Sequence, residues 1–228
     1  MRLSFPSGTV LLSILLAFNA GFVDTTGFLG LAGLFMAHVT GNFVTLGAAL
    51  ISGSHGIIGK LLALPAFITV IALARLAGNF MRKHRLPALR VFLAAKVLLL
   101  FAFFVLAVRF GPFPNADSPI ALLTGFSGIA AMALQNALHR VHLGAIPPTT
   151  IMTGTTTQAT LDAVDLLVGG DIAQASATRE RFFKLLTSLL SFAAGCAAAA
   201  LLYWKLGFWC LAVAVIVSAA AALVSLKN

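Results

Sequence analysis

Acidic residues are nearly missing from this chain, with six Asp and Glu in 228 positions, and charged residues of both signs make up only 9%. A soluble globule cannot be covered by so few charges when 60% of its residues are hydrophobic. Cysteine is equally scarce. Cys196 and Cys210 both fall in apolar runs, which leaves no disulfide framework and no metal-ligand spacing. No Gly-rich phosphate loop or stacking platform is present, so the formal charge of +9 is not a nucleic-acid signal. Also missing are a nucleophile elbow, His-Glu-x-x-His and a protease-type Asp pair. We therefore expect no enzyme, no cofactor and no metal.

What is present is hydrophobic sequence, with a mean hydropathy of +1.03. A span needs roughly 20 apolar residues, and runs rich in Ala, Leu and Phe without period-2 alternation select helices over a barrel. Six plain spans are expected at about 8–29, 60–80, 91–110, 119–138, 182–202 and 208–226. Two further stretches, about 33–52 and 147–168, are too polar at their middle for ordinary spans. The N-terminal run carries Asp24 and no small-x-small cleavage signature, so it reads as a retained span, not a removed signal peptide. The fold class is all-α: a polytopic membrane bundle of six or seven spans plus interrupted or re-entrant helices, in one membrane domain over 1–228.

Thr40-Gly41-Asn42 has a counterpart 113 positions later in Thr153-Gly154-Thr155. Upstream of each lies a helix with a polar residue near its centre, Asp24 in the first half and Gln135-Asn136 in the second. The pattern divides the chain into halves at about 8–110 and 119–226, separated by the loop 111–118. Paired, interrupted hydrophobic segments in corresponding positions point to a transporter's binding site.

Basic residues decide how the interrupted stretches sit. With both re-entrant and the N-terminus cytoplasmic, eleven Lys and Arg lie inside, Lys96 and Arg2 among them, and Lys60, Arg109 and Lys205 lie outside. Eight full spans would divide the same fourteen residues seven to seven, while a seven-span arrangement gives ten to four. The six-span arrangement treats the halves alike. Three crossings per half invert the second half relative to the first and put the C-terminus in the cytoplasm.

Asp24 is the sharpest single signal, because an acid at mid-span costs about 2.5–3.5 kcal/mol on insertion scales. It fits a proton or cation site or a hydrogen-bond acceptor for substrate; the alternative is a structural acid bonded to Thr25, Thr26 or a broken backbone nearby. Each Thr-Gly turn would end one half-helix and start another, turning backbone N–H groups and a positive dipole end towards a cavity that suits an anionic or polar solute. In that reading Thr40, Gly41, Asn42, Thr153, Gly154 and Thr155 line the site, His38 relays protons or bonds a carbonyl, and Gln135 and Asn136, the polar counterpart of Asp24, bond it or the substrate across the repeat interface. The alternative is that the hydroxyls cap their own helix ends and bind nothing. His139 and His142 have the i, i+3 spacing of a metal pair but sit at a basic helix end, which favours solvation, and Asp162 and Asp165 either line the inner mouth or, equally economically, cap and pair with Arg179 or Arg181.

The blocks Ala20-Gly21-Phe22-Val23-Asp24, Gly33 to Asn42, Leu134-Gln135-Asn136-Ala137 and Thr149 to Gly154 together resemble the YoaK-like family of bacterial inner-membrane proteins, along essentially the whole chain. The resemblance implies a bacterial inner-membrane location and a membrane topology, and no substrate. Thr155 stands where Asn is expected after the second Thr-Gly. The expected activity is that of a transporter or channel-like permease for a small solute or ion. The rival is a non-transporting scaffold or sensor. Expected partners are membrane lipids and that solute, with no nucleic acid and with homo-oligomerisation left open.

Overall fold

The computed structural model of the chain describes residues 8–144, 146–169 and 172–227, the side chains of 172–174, 226 and 227 excepted. Arg2 and the side chain of Lys227, two of the eleven inner basic residues of the six-span arrangement, lie outside the described residues. The rest forms α1 (Gly8–Gly30), α2 (Gly41–Ser52), α3 (Ile57–Lys83), α4 (Ala88–Phe110), α5 (Pro119–His142), α6 (Met152–Val168), α7 (Ile172–Leu206), a 3-10 turn (Gly207–Cys210) and α8 (Leu211–Lys227), with no strand among the described residues.

Five stretches are long and apolar enough to cross a membrane: α1, α3, α4, α5 and the helical run 175–225, as a helical membrane bundle requires. The last of these is not one rod. Gly207 takes φ 55, a left-handed value that glycine adopts without steric cost, and the chain reverses there. Along α1, Phe18 lies against Gly195 and Gly30 against Tyr203 of α7, so α1 and α7 run in the same direction. By contrast, Thr26 meets Cys210 and Asn19 meets Ala214 of α8, so α8 runs the opposite way.

Helix packing follows one rule in both halves. α1 packs on α7 and α8, whereas α5 packs on α3 and α4; α2 sits on α3, and α6 on α7; α4 and α8 face each other. Exchanging the halves leaves this list unchanged. Directions match as well. α5 runs with α3, since Gly59 faces Leu122 and Ala74 clusters with Leu134 and Leu138, and against α4, since Gly128 faces Phe103. α1 and α5 are antiparallel, with Leu31 near Gly125 and Leu16 bonded to Gln135.

The closest helix contact is α1 on α7. A Cβ at Gly195 would overlap the Phe18 carbonyl, and one at Gly21 would overlap the Phe192 carbonyl, so two glycines let the backbones touch, as small residues do between membrane helices. Beyond the bundle, the carboxylate of Asp117 in the loop 111–118 accepts from the Gly56, Ile57, Ile58 and Gly59 amides at 2.8–3.2 Å. It satisfies the otherwise free donors that begin α3 and complements the helix dipole.

Candidate functional site

Both halves contain a long helix, an unwound segment and a short helix, but the unwinding does not occur at the Thr-Gly pairs. In the first half it covers 31–40, where Ala32 (φ 52) and Gly33 (φ 80) turn the chain back. In the second it covers 143–144 and 146–151, where Pro147 and Pro148 remove N–H donors and exclude helix from the residue before them. Gly41 is therefore the first residue of α2, and Thr153 and Gly154 lie inside the first turn of α6. Thr40 makes no side-chain cap.

One device tethers each unwound segment to its long helix. Asp24 Oδ1 accepts from the Met36 and Ala37 amides at 2.7 Å and from the His38 amide at 3.4 Å. Its Oδ2 lies 2.6 Å from His38 Nδ1. Fourteen residues separate Asp24 from His38, and the same interval recurs in the second half, where Gln135 Nε2 donates to Thr149 Oγ1 at 3.0 Å and Thr150 Oγ1 donates to Asn136 Oδ1 at 2.8 Å. Asp24 and Gln135 are buried, while the His38 side chain is 37% exposed. A carboxylate accepting several amide bonds is the strong form of this contact, and it relieves backbone donors that a broken helix would leave bare in hydrocarbon.

Asn42 adds a second clamp: its Oδ1 accepts from the Phe35 amide at 2.8 Å and its Nδ2 donates to the Phe35 carbonyl at 2.9 Å. Thr155, at the matching place, bonds back to Ile151 within its own helix. The second segment is held instead by His139, whose Nε2 is 2.9 Å from the Ile146 carbonyl, and by Ser188 of α7, which donates to the Pro148 carbonyl at 3.3 Å. His139 was legible only as a histidine at a helix end.

The two unwound tips enter from opposite ends. The first returns to the level of Asp24 and the second to that of Leu16, eight residues apart on α1 or about 12 Å. Both touch one face of α7: the His38 ring stands edge-on to Phe192 at 5.5 Å, and Ser188 lies one turn away. The short helices themselves stay apart, since neither packs on the other. Thr153 and Gly154 face outward, and the hydroxyls of Thr156, Thr157 and Thr160 bond carbonyls of their own helix. The Thr-Gly pairs thus do not face one another, and the residues brought near each other are those of the unwound tips.

Lys96 corrects the charge count. It is wholly buried in α4, which leaves ten, not eleven, basic residues on the inner side of the six-span arrangement. The pairing of Phe103 with Gly128 in antiparallel α4 and α5 puts Lys96 level with Gln135. The pairing of Phe104 with Trp209 puts it within a turn of Ser218. Asn19 Oδ1, Lys96 Nζ, Gln135 Oε1 and Ser218 Oγ are all buried without a hydrogen-bond partner among the described residues. Four facing helices therefore hold a polar layer beside the second tip, and such groups call for a physical explanation.

A cavity of about 800 Å³ opens at the end carrying the 84–87 turn, and Asn136 and Ile151 at the second tip form part of its wall. Asp162 lies elsewhere, gripped by Arg181 at 2.6 and 2.8 Å and by Gln158 at 2.7 Å, which fastens α6 to α7.

No curated protein and no solved structure matches this chain. Residues 12–224 match a family described as a protein of unknown function, DUF1275, and the chain belongs to that family.

Proposed function

We propose that this protein is a permease for a small polar solute, built from two inverted halves in a bacterial inner membrane, with six crossings, two re-entrant segments and the YoaK-like character read from its sequence blocks. The observation that carries the reading is the matched tether. In both halves a polar side chain on a long helix holds the residue fourteen positions later in a broken segment, and the two segments reach inward from opposite ends. Broken helices entering from both sides, near the midplane and at the junction of two repeats, are how such transporters build their sites. The polar layer of Asn19, Lys96, Gln135 and Ser218 supplies hydrogen-bonding groups along the path, and the Asp24–His38 pair is its titratable gate.

One observation favours the rival, a non-transporting scaffold. Both Asp24 oxygens are already occupied by protein donors, so the pair can brace a broken helix without ever meeting a solute.

Ser188 separates the two because it is buried between the tips. In a background with Cys196→Ala and Cys210→Ala, Ser188→Cys should react with a small membrane-impermeant thiol reagent added to either face of sealed vesicles. Modification from one face only, or from neither, overturns the permease. A thermal-shift screen followed by counterflow in proteoliposomes then identifies the solute.

A further inference from the structure

The strongest chemical signal outside the tips is the lining of the 800 Å³ cavity. Arg75, Arg82, Arg85, Arg90 and Arg140 all contribute to its wall, and no Asp or Glu among the described residues does. None of the five makes an ion pair among the described residues; Arg82 donates to Asn79. A preference for basic cytoplasmic loops explains arginines in the 84–87 turn. It does not explain Arg75, two turns inside α3, nor their convergence on one hollow.

The hollow exists because α3 and α4, although joined by a short turn, pack mainly on α5 and only slightly on each other. Between them lies a groove whose deeper wall is apolar, with Phe67, Ile71 and Phe92, and whose mouth is cationic. A groove opening between two outer helices of a membrane bundle faces acyl chains. Its mouth lies at the headgroup level of the leaflet next to the 84–87 turn.

We propose that this groove binds an anionic phospholipid, its phosphate held by the arginines and one acyl chain lying along Phe67, Ile71 and Phe92. Guanidinium groups match phosphate oxygens bidentately, and basic pockets between membrane helices on the cytoplasmic side take such headgroups. The apolar floor selects a lipid over a free phosphate, which would leave that wall unused.

The test is native mass spectrometry of detergent-purified protein equilibrated with phosphatidylglycerol, with phosphatidylcholine, or with inorganic phosphate. The wild type should retain phosphatidylglycerol at least about tenfold better than phosphatidylcholine, the scale expected for several basic groups acting together, and inorganic phosphate should not displace it. Arg82→Gln/Arg90→Gln/Arg140→Gln should lose that preference. Lys83→Gln/Arg179→Gln/Lys184→Gln, which removes as much charge from the same end outside the groove, should keep it. Arg75→Gln alone should weaken the preference and serves if the triple variant fails to fold. Equal retention of the two lipids, displacement by inorganic phosphate, or equal loss in both triple variants overturns the proposal.

Discussion

The carboxylate of Asp24 does two things to His38 at once: Oδ2 lies 2.6 Å from the ring Nδ1, while Oδ1 binds the backbone that carries the ring, at 2.7 Å from the Met36 and Ala37 amides. Side chain and main chain of the unwound segment therefore depend on the same group. Asp24→Asn keeps an acceptor for the amides and removes the charge; His38→Gln keeps the backbone tether and removes the ring. Because both singles break the same contact, the double variant should lose less stability than the sum, with a coupling of about 0.5–3 kcal/mol. Denaturation in detergent of the four proteins measures it. Strict additivity would show that the two residues act independently.

Glycines that look alike in the sequence should behave oppositely. A Cβ at Gly195 meets the Phe18 carbonyl, whereas nothing lies within 4 Å of one at Gly154. Gly195→Ala must push α7 off α1 and should cost about 1–3 kcal/mol as an overpacking defect. Gly154→Ala, inside a helix with open space around it, should gain roughly 0.5–1 kcal/mol from backbone entropy. Paired melting curves decide. A large loss at Gly154 would mean that α6 meets a surface that the isolated chain does not present.

That contrast shows what the sequence could and could not disclose. Asp24 and the Gln135-Asn136 pair were legible because a polar group in mid-span needs a partner. Where the chain unwinds was not. Thr-Gly repeats suggested breaks, yet the backbone turns at Ala32-Gly33 and Pro147-Pro148, and only the second pair carries a strong local signal. The Asn42 clamp on Phe35 and the His139 contact with Ile146 are products of tertiary folding that no spacing encodes. Lys96 reads as an inner-side cation in a linear charge count, and only the convergence of α1, α4, α5 and α8 buries it.

Orientation can be checked without knowing the solute. In a chain lacking Cys196 and Cys210, Asn115→Cys in the 111–118 loop should react with an impermeant maleimide on intact cells. His84→Cys, in the turn between α3 and α4, should react only after permeabilisation. Gly170, between α6 and α7, lies outside the described residues. His84 does the same work at the same end of the bundle. Labelling of both positions on intact cells would remove the inverted-repeat topology.

Lys96 provides the sharpest separation of function from stability. Its Nζ is buried without a hydrogen-bond partner among the described residues, and a polar group buried without a partner costs stability. Lys96→Met preserves the length of the side chain and removes the amine with its donors. The variant should therefore melt higher than the wild type, by a gain of about 1–3 kcal/mol, and under the permease reading it should have lost counterflow. A more stable but inactive protein is what a functional amine maintained at a cost to stability predicts. If Lys96→Met instead melts well below the wild type, the amine has a stabilising partner in the membrane, and the polar layer of Asn19, Gln135 and Ser218 is a structural network, not part of a path.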